Sequence, residues 1–407
     1  MTFLRRISTK HLILLCAAVV AVAAGGTALA IAAGSGGPKP HAKALPVAIR
    51  DALSAPAPTG VTARIEFTNQ LVDSAGIHGS NPILTGAKGR LWASADGFRL
   101  ELQSSGGADA QVVSDGKSFW IYDGSSNTVY RGQLPQGHAK GTASKKETKT
   151  EKPLTLARIK SELAKLAKHA TVSGATPDNV AGQPAYSVSL SPRRDGGLLD
   201  SAALAWDAAR GVPLRLGIYA KGHSSPVLEL KATEVSFGPV AKSDLAISPP
   251  AGAKTVDVSP KTEARTHATG KRARSAKPVA GLAAVQRSVR FKVAAPSSLG
   301  GLQRSEVRLL GGKKEKNPTV LVTYGQGLGG IAVLQQTAKA TSTSRAKPEK
   351  RGHASGLDLP KVSINGASGQ QLDTALGTVI RFERGGVSYT VLGSVTPATA
   401  LAAARGL

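Results

Sequence analysis

Residues 180–258 read VAGQPAYSVSLSPRRDGGLLDSAALAWDAARGVPLRLGIYAKGHSSPVLELKATEVSFGPVAKSDLAISPPAGAKTVDV, and four short apolar runs alternate there with turn signals. Alternating apolar and polar residues are typical of strands with one face in a core and the other in water. The order is specific: a Gly-x-x-Ala-Tyr strand, a strand ending in Trp-Asp, a Gly-x-Pro-Leu-Arg strand, a strand ending in Val-x-Phe-Gly, and a Pro-Pro-x-Gly-Ala tail. The stretch therefore predicts four strands of one sheet.

The region before this stretch carries the same strand periodicity. Residues 61–71 alternate cleanly, with Ile65 and Phe67 on the apolar side, and Asp115-Gly116 is a strong signal for a two-residue hairpin turn. Further strands are predicted at 86–92, 98–102, 111–114, 118–122 and 128–131. A short helix is predicted over 46–52, and leucine and isoleucine at helical spacing predict an amphipathic helix over 153–169.

Residues 47–258 as a whole resemble the LolA-like family of bacterial lipoprotein carriers, a superfamily that also holds the RseB/MucB-type regulators. The resemblance is carried by the ordered features of 180–258, by Gly-x-Leu-Trp, by a strand with an arginine on its polar face, and by Val-Val-Ser-Asp-Gly-x-x-x-Trp-x-Tyr-Asp. It implies an α+β, mainly β fold: a half-open antiparallel β-barrel or curved sheet with covering helices. It also implies that the protein holds a lipid or acylated ligand in a hydrophobic cavity.

Within such a half-open barrel, the apolar side of each strand supplies the candidate cavity residues. These are Ile65, Phe67, Leu91, Leu100, Leu102, Phe119, Ile121, Val188, Leu190, Leu214, Leu216 and Ile218. The candidate lid residues on the amphipathic helix are Leu156, Ile159, Leu163 and Leu166. An ordinary filled core is the alternative interpretation of the same pattern.

The resemblance implies one further residue role. In the family, an arginine on an early strand bonds carbonyl groups of the lid, and the ligand displaces that bond. Arg99 lies in a comparable strand but on the side opposite Phe98 and Leu100, and Arg90 is the alternative. The pattern does not decide between them.

The N-terminal segment indicates where the protein works. Basic residues precede an uncharged, almost wholly apolar run over 12–33, which is typical of a membrane-spanning helix or long signal sequence. Retention as a single anchor and cleavage near Ala30 both remain open, and Cys16 lies too early in the run for a lipoprotein anchor. We therefore expect an extracytoplasmic body at the cell membrane, or a secreted one.

Charge and composition of the 407 residues indicate the class of partner and the domain organisation. A net charge of +26 favours anionic partners such as membrane head groups or wall polymers, and the extracytoplasmic location argues against nucleic acid. The predicted organisation is 1–33 signal sequence or anchor, 34–44 spacer, 45–258 lipid-binding domain, 259–288 basic linker, and 289–407 small α+β domain. Residues 135–152 and 336–356 are predicted to be a loop and a basic insert.

The C-terminal part resembles a small extracytoplasmic bacterial domain of unknown function. The resemblance rests on Phe-x-Val-x-x-Pro, Val-x-Tyr, Gly-Thr-x-x-x-Phe, Val-x-Tyr-x-Val-x-Gly and a final helix. Strands are predicted at 319–324, 330–335, 361–364, 378–382 and 387–392, and the helix is predicted to reach Arg405 from a cap at Thr396 or Thr399.

Catalytic motifs are not found in this sequence. No H-E-x-x-H or G-x-S-x-G occurs, and the glycine-rich stretch 325–330 lacks the Gly-Lys-Ser/Thr of a P-loop and precedes a strand, which predicts a hairpin turn. We therefore expect no enzyme activity, cofactor or metal.

Three functions fit these observations. The first is a carrier or chaperone that binds a lipid or a lipoprotein acyl chain. The second is an RseB-like sensor that regulates an anti-sigma factor or envelope stress pathway through a membrane protein. The third is a wall-associated structural protein without a ligand.

Overall fold

The structure is a computed structural model that describes residues 37–72, 81–134, 156–167, 169–193, 196–258, 279–310, 318–338 and 359–407. The predicted anchor or signal sequence with Cys16 and Ala30, the loop 135–152, and most of the linker 259–288 and the insert 336–356 lie outside the described residues. Within the described ranges, no helix is long and apolar enough to cross a membrane.

The first sheet is built from the region that resembles the LolA-like family. Its strands are β1 (Gly60–Asn69), β2 (Ala87–Ser94), β3 (Gly97–Gln103), β4 (Asp109–Ser114), β5 (Ser118–Asp123), β6 (Thr128–Gln133), β7 (Ala170–Val172), β8 (Thr176–Val180), β9 (Gln183–Pro192), β10 (Leu199–Asp207), β11 (Pro213–Ala220), β12 (Leu228–Phe237) and β13 (Lys254–Asp257). The order is β13-β6-β5-β4-β3-β2-β1-β12-β11-β10-β9-β7, and β8 also pairs with β9. Every pair is antiparallel except β13 with β6. This curved, half-open sheet confirms the predicted fold class.

Helices cover part of this sheet. They are α1 (Leu45–Ser54), α2 (Pro82–Thr85), α3 (Leu156–Leu166) and α4 (Lys242–Leu245); α5 (Leu282–Gln286) and α6 (Pro397–Arg405) come later in the chain and pack with the second sheet. Helix α1 begins with a proline in its first turn, where the missing N–H costs nothing. Its residues Leu45, Ala48 and Ile49 are buried at helical spacing, so one side of α1 enters a core.

The C-terminal residues form a second sheet. Its strands are β14 (Ser298–Leu299), β15 (Leu302–Leu310), β16 (Thr319–Tyr324), β17 (Ile331–Thr337), β18 (Lys361–Ile364), β19 (Ala367–Thr374), β20 (Gly377–Arg384) and β21 (Val387–Gly393), in the order β14-β15-β16-β17-β21-β20-β19-β18. Helix α6 packs its alanines into the core of this sheet. Of the two predicted caps, Thr396 and Thr399, the cap is Thr396, whose Oγ1 accepts a hydrogen bond from Thr399 N.

Among the described residues, hydrogen bonds join the two sheets at one end of the second sheet. Leu198 N donates to Ser394 Oγ at 2.9 Å. Ala375 N donates to Leu71 O at 2.8 Å. Leu71 follows β1 and Leu198 precedes β10, so the second sheet touches two separate points of the first.

Sequence periodicity located most strands to within two residues. The glycine-rich stretch after β16 joins it to antiparallel β17, as the predicted hairpin turn requires. The short strands β7, β8 and β13 were not predicted, and neither were β14, β15 and β19 of the second sheet. β15 and β19 carry charged or amide residues at alternate positions with few aromatics, which weakens their strand signal.

Candidate ligand-binding face of the curved sheet

Strand register places the candidate cavity residues on one face of the first sheet. Directly paired residues share a face, and the pairs Leu91↔Leu100 and Leu204↔Val188 tie the strands together. We call this face, which carries α1 and α3, the inner face. Its predicted members are Ile65, Phe67, Leu91, Leu100, Leu102, Phe119, Ile121, Val188, Leu190, Leu216 and Ile218.

Leu214 is the exception among the twelve. The β10–β11 ladder shifts register between Ala205 and Trp206, and Leu214 lies at that irregularity. It packs with Val180, Ala185 and Ala205 in a separate small cluster. An irregularity of this kind changes the direction of a side chain, and simple alternation does not reveal it.

One end of the inner face is covered, and we call it the covered end. Tyr186, Val188, Leu204 and Trp206 are buried there under α1 and α3. The lid residues Ile159 and Leu163 belong to the same cluster, whereas Leu156 and Leu166 are partly exposed. The described members of this cluster come from α1, α3 and the region from β7 to β11, and none comes from β1–β6.

At the other end, a row of large apolar side chains crosses five strands. Leu91, Leu100, Val112, Ile121 and Tyr130 stand directly opposite one another from β2 to β6. We call this set the central row. All five residues remain partly exposed. The central row is therefore an apolar surface, and its members are not part of the buried cluster under the helices.

Small residues flank the central row on alternate strands. On β2 the flanking inner-face positions are Gly89 and Ala93, and on β4 they are Ala110 and Ser114. On β6, a Cβ atom added at Gly132 would lie 2.9 Å from the Phe119 ring, so this glycine makes room for the aromatic ring. The flanking positions on β3 and β5 are instead larger, with Phe98, Leu102 and Phe119, so small and large side chains alternate from strand to strand beside the row.

Charge is segregated between the two faces of strands β1–β6. Among their inner-face positions, Asp123 alone is charged, and its carboxylate is bonded to Ser125 and Ser126. The opposite, outer face carries the charged side chains, including the pair of Lys231 on β12 with Glu66 at 2.9 Å. That contact lowers the pKa of Glu66 through a side-chain hydrogen bond with Lys231.

Both candidate arginines lie on the outer face. Arg99 pairs with Trp92 across β2–β3, its guanidinium lies 4.7 Å from the Trp92 ring centroid, and its Nη1 donates to Asp244 O at 2.9 Å. Arg90 pairs with Glu101 on the same outer side and is exposed. The lid-bonding arginine implied by the resemblance is therefore at neither position, because strand alternation directs both side chains away from the inner face.

Further inner-face residues were missed from the sequence. Phe98, Val112, Tyr130, Leu228 and Leu230 share the face by register. The alternation of β3 and β12 could have found Phe98, Leu228 and Leu230, since each lies two residues from another apolar position. Tyr130 has Thr128 and Gly132 at the corresponding positions of β6, which gives no such signal. Within the described ranges, no three His, Cys, Asp or Glu side chains lie together in a way that could hold a metal ion.

No protein-family model matches the chain, and no curated protein matches its sequence. Among solved structures, the chain is similar to MucB in complex with MucA(peri), at 15% identity and a TM-score of 0.39, over 89% of this chain and 95% of that chain.

Two further solved structures are similar to parts of the chain. A putative outer membrane lipoprotein-sorting protein domain from Vibrio parahaemolyticus shows 11% identity and a TM-score of 0.21, over 50% of this chain and 95% of that chain. A LolA superfamily protein from Nitrosomonas europaea shows 10% identity and a TM-score of 0.19, over 51% and 99%. The comparison returns the same kinds of protein as the sequence resemblance. At these TM-scores, the similarity carries no argument about what this chain binds.

Proposed function

We propose that this chain is an extracytoplasmic protein that binds a lipid or a lipoprotein acyl chain on the central row of its curved sheet, as a carrier or chaperone without catalysis. The observation that supports the proposal is the partial exposure of a continuous apolar row on a face otherwise used for a core. Soluble proteins rarely leave contiguous apolar surface uncovered without a binding role.

The dimensions and energetics suit an acyl chain. Five strands spaced about 4.8 Å apart make the central row roughly 19 Å long, comparable with a long acyl chain. Burying one large apolar side chain fully contributes about 1.5–3 kcal/mol, and the residues of the row are only partly buried in the protein alone. A ligand that covers the row would gain part of this free energy from each residue.

Phe119 and Trp120 provide a matched pair of variants. They are neighbours on β5, both aromatic and both partly exposed, and they lie on opposite faces of the sheet. We expect Phe119→Asn in the full chain to weaken binding of a fluorescent fatty acid by at least about tenfold, which corresponds to about 1.4 kcal/mol. Trp120→Asn should leave the affinity within about twofold, because the outer face does not meet the ligand.

The apolar N-terminal segment is identical in both variants, so any binding there cancels in the comparison. Circular dichroism and the midpoint of denaturation establish that each variant is folded. Equal loss of affinity in the two variants, or no loss in Phe119→Asn, would contradict the proposed site.

The contacts between the sheets favour a second candidate, a sensor of the RseB type. The second sheet is hydrogen-bonded to Leu71 after β1 and to Leu198 before β10, which lie on different parts of the curved sheet. A ligand that widens or narrows the curved sheet would therefore strain these two hydrogen bonds. A sensor predicts that fatty acid changes hydrogen exchange at Ala375 and Leu198, whereas a carrier predicts changes at the inner face alone.

A further inference from the structure

A cleft of about 420 Å³ lies on the second sheet, at the end where β20 turns into β21. Its lining residues are Arg290, Phe291, Lys292, Thr337, Arg384, Gly385, Gly386, Val387 and Tyr389. The second sheet contacts the first through Ser394 and Ala375. Ser394 follows β21 and Ala375 precedes β20, so both lie at the end of these strands opposite the cleft. The cleft is therefore remote from the inner face of the first sheet.

Three cationic side chains line this cleft. Arg290 and Lys292 are exposed on the segment before β14, and Arg384 ends β20. In the part of the chain that the structure describes, none of the three forms an ion pair with a carboxylate. Glu383 neighbours Arg384 in sequence, but its pairing with Ser388 puts it on the other face of the sheet. The positive charge of the cleft is thus not neutralised by the described residues.

The floor of the cleft is apolar and buried. Val387 and Tyr389 are buried, and the Tyr389 ring stacks on Phe382 with 4.9 Å between centroids. The Arg384 guanidinium lies 5.9 Å from the Tyr389 ring centroid, which holds its planar group above the floor. Burial raises the pKa of the Tyr389 hydroxyl, so the floor adds no negative charge near neutral pH.

The rim is formed by a two-glycine turn. Gly385 and Gly386 have φ angles of 57° and 72°, a conformation that tight β-hairpins need and that glycine adopts without strain. The absence of side chains at these two positions leaves the cleft open beside Arg384. A ligand can therefore approach the guanidinium without displacing another residue of the turn.

We propose that this cleft binds a phosphate group, either free or as part of a lipid head group. A guanidinium presents its donors in a planar fork that matches phosphate oxygens, and further cations add charge-assisted hydrogen bonds. Three cations around one small cleft suit an anion that carries more charge and more acceptors than a single carboxylate. The site is separate from the acyl-binding face and does not depend on it.

The test measures binding of three probes to the full chain by calorimetry: inorganic phosphate, dihexanoyl phosphatidylglycerol, and dihexanoyl phosphatidylcholine. Salt is kept at about 150 mM, where the Debye length of about 8 Å screens the diffuse charge of the chain. The variant Arg290→Gln, Lys292→Gln, Arg384→Gln should bind phosphate or phosphatidylglycerol at least about tenfold more weakly, equivalent to about 1.4 kcal/mol. Phosphatidylcholine, whose ammonium group offsets its phosphate, should bind more weakly than phosphatidylglycerol.

The control variant removes the same charge elsewhere. Lys221→Gln, Lys361→Gln, Arg381→Gln replaces three residues that do not line the cleft, and it should change affinity by less than about twofold. If the cleft variant fails to fold, Arg290→Gln with Lys292→Gln changes only exposed side chains and should still weaken binding. Arg384→Lys should retain the larger part of the affinity.

Each outcome decides the proposal. Binding of both anionic probes indicates a phosphate site, and binding of phosphatidylglycerol alone indicates a lipid head-group site. No binding of either, equal affinity for phosphatidylcholine, or equal losses in the two triple variants would overturn it. Phe119→Asn should leave phosphate binding unchanged, so failure of this proposal is distinguishable from failure of the acyl-binding proposal.

Discussion

The two ends of the inner face differ in what covers them. At the covered end, Val188 and Leu204 are buried below α1 and α3. Along the central row, Leu100 and Ile121 lie on the same inner face as Val188 and Leu204 but remain partly exposed. The same alternation of apolar and polar residues thus produces a filled core at one end and a surface at the other. Periodicity identifies the face, and the placement of the helices determines its use.

The largest effect should come from truncating an aromatic residue at each end. Trp206 is buried beside Tyr186, with 6.1 Å between ring centroids, whereas Phe119 is partly exposed. We expect Trp206→Ala to lower the free energy of unfolding by about 3–5 kcal/mol and Phe119→Ala by about 1 kcal/mol. Denaturant titration of the full chain, followed by circular dichroism, measures both.

The same two variants test whether the two ends of the inner face differ in packing. Similar losses of several kcal/mol in both would mean that the inner face beside the central row is packed as firmly as the covered end. Adding fatty acid should stabilise the wild type and Trp206→Ala, and it should stabilise Phe119→Ala less, because the stabilisation by a ligand, RT ln(1 + [L]/Kd), falls as the dissociation constant rises.

A smaller effect is expected from the hydrogen bond that joins the segment before α1 to β9 at the covered end. Tyr186 donates its hydroxyl hydrogen bond to His41 O at 2.6 Å, which ties the segment before α1 to β9. Tyr186→Phe should cost about 1 kcal/mol of stability, the usual net contribution of one hydrogen bond. Hydrogen exchange should become faster at the N-terminal end of α1 and stay unchanged in β2–β5; faster exchange in β2–β5 would show that the two ends are not independent.

The smallest effect lies at the seam between the ends, where β1 pairs with β12. Lys231 Nζ lies 2.9 Å from Glu66 Oε2, and this contact lowers the pKa of Glu66 in the folded state. A lowered carboxyl pKa stabilises the fold above the unfolded pKa, and this contribution is lost as pH falls through the folded value. Because both side chains are about one-third exposed, solvent screening limits the contribution to about 0.5 kcal/mol.

The measurement for this pair is the pH dependence of unfolding. Glu66→Gln should be less stable than wild type at pH 7, and the difference should vanish once pH falls below the folded pKa of Glu66. A constant difference at all pH values would mean that the effect is packing and not charge.

The sequence was sufficient for the strands whose faces differ sharply in polarity. β1, β9, β11 and β12 were predicted because polar and apolar residues alternate along most of their length, and β5 because it follows the Asp115-Gly116 turn. It was insufficient for β13, a four-residue strand whose pairing with β6 brings together positions more than a hundred residues apart. Leu214 escaped the pattern because a register shift changes its direction, and that shift has no local signal.

For the candidate site, the sequence identified residues that share the inner face, but it did not identify which part of that face the helices cover. It predicted that the amphipathic helix would form a lid over the cavity, and the structure places Ile159 and Leu163 against the covered end only. Which part of a sheet a helix covers is decided by tertiary packing, and helical spacing contains no information about it. The basic cleft of the second sheet was missed for the same reason, since Arg290 and Arg384 meet only in the folded chain.

Photolabelling of the full chain with a diazirine fatty acid, followed by peptide mapping, tests directly whether the central row binds an acyl chain. We expect label on inner-face residues of β2–β5, such as Leu100, Val112 and Phe119, and none on the outer-face Trp120. Mapping separates this label from any taken up by the apolar N-terminal segment. Label confined to that segment, or distributed equally over both faces of β2–β5, would contradict the claim that the central row binds an acyl chain.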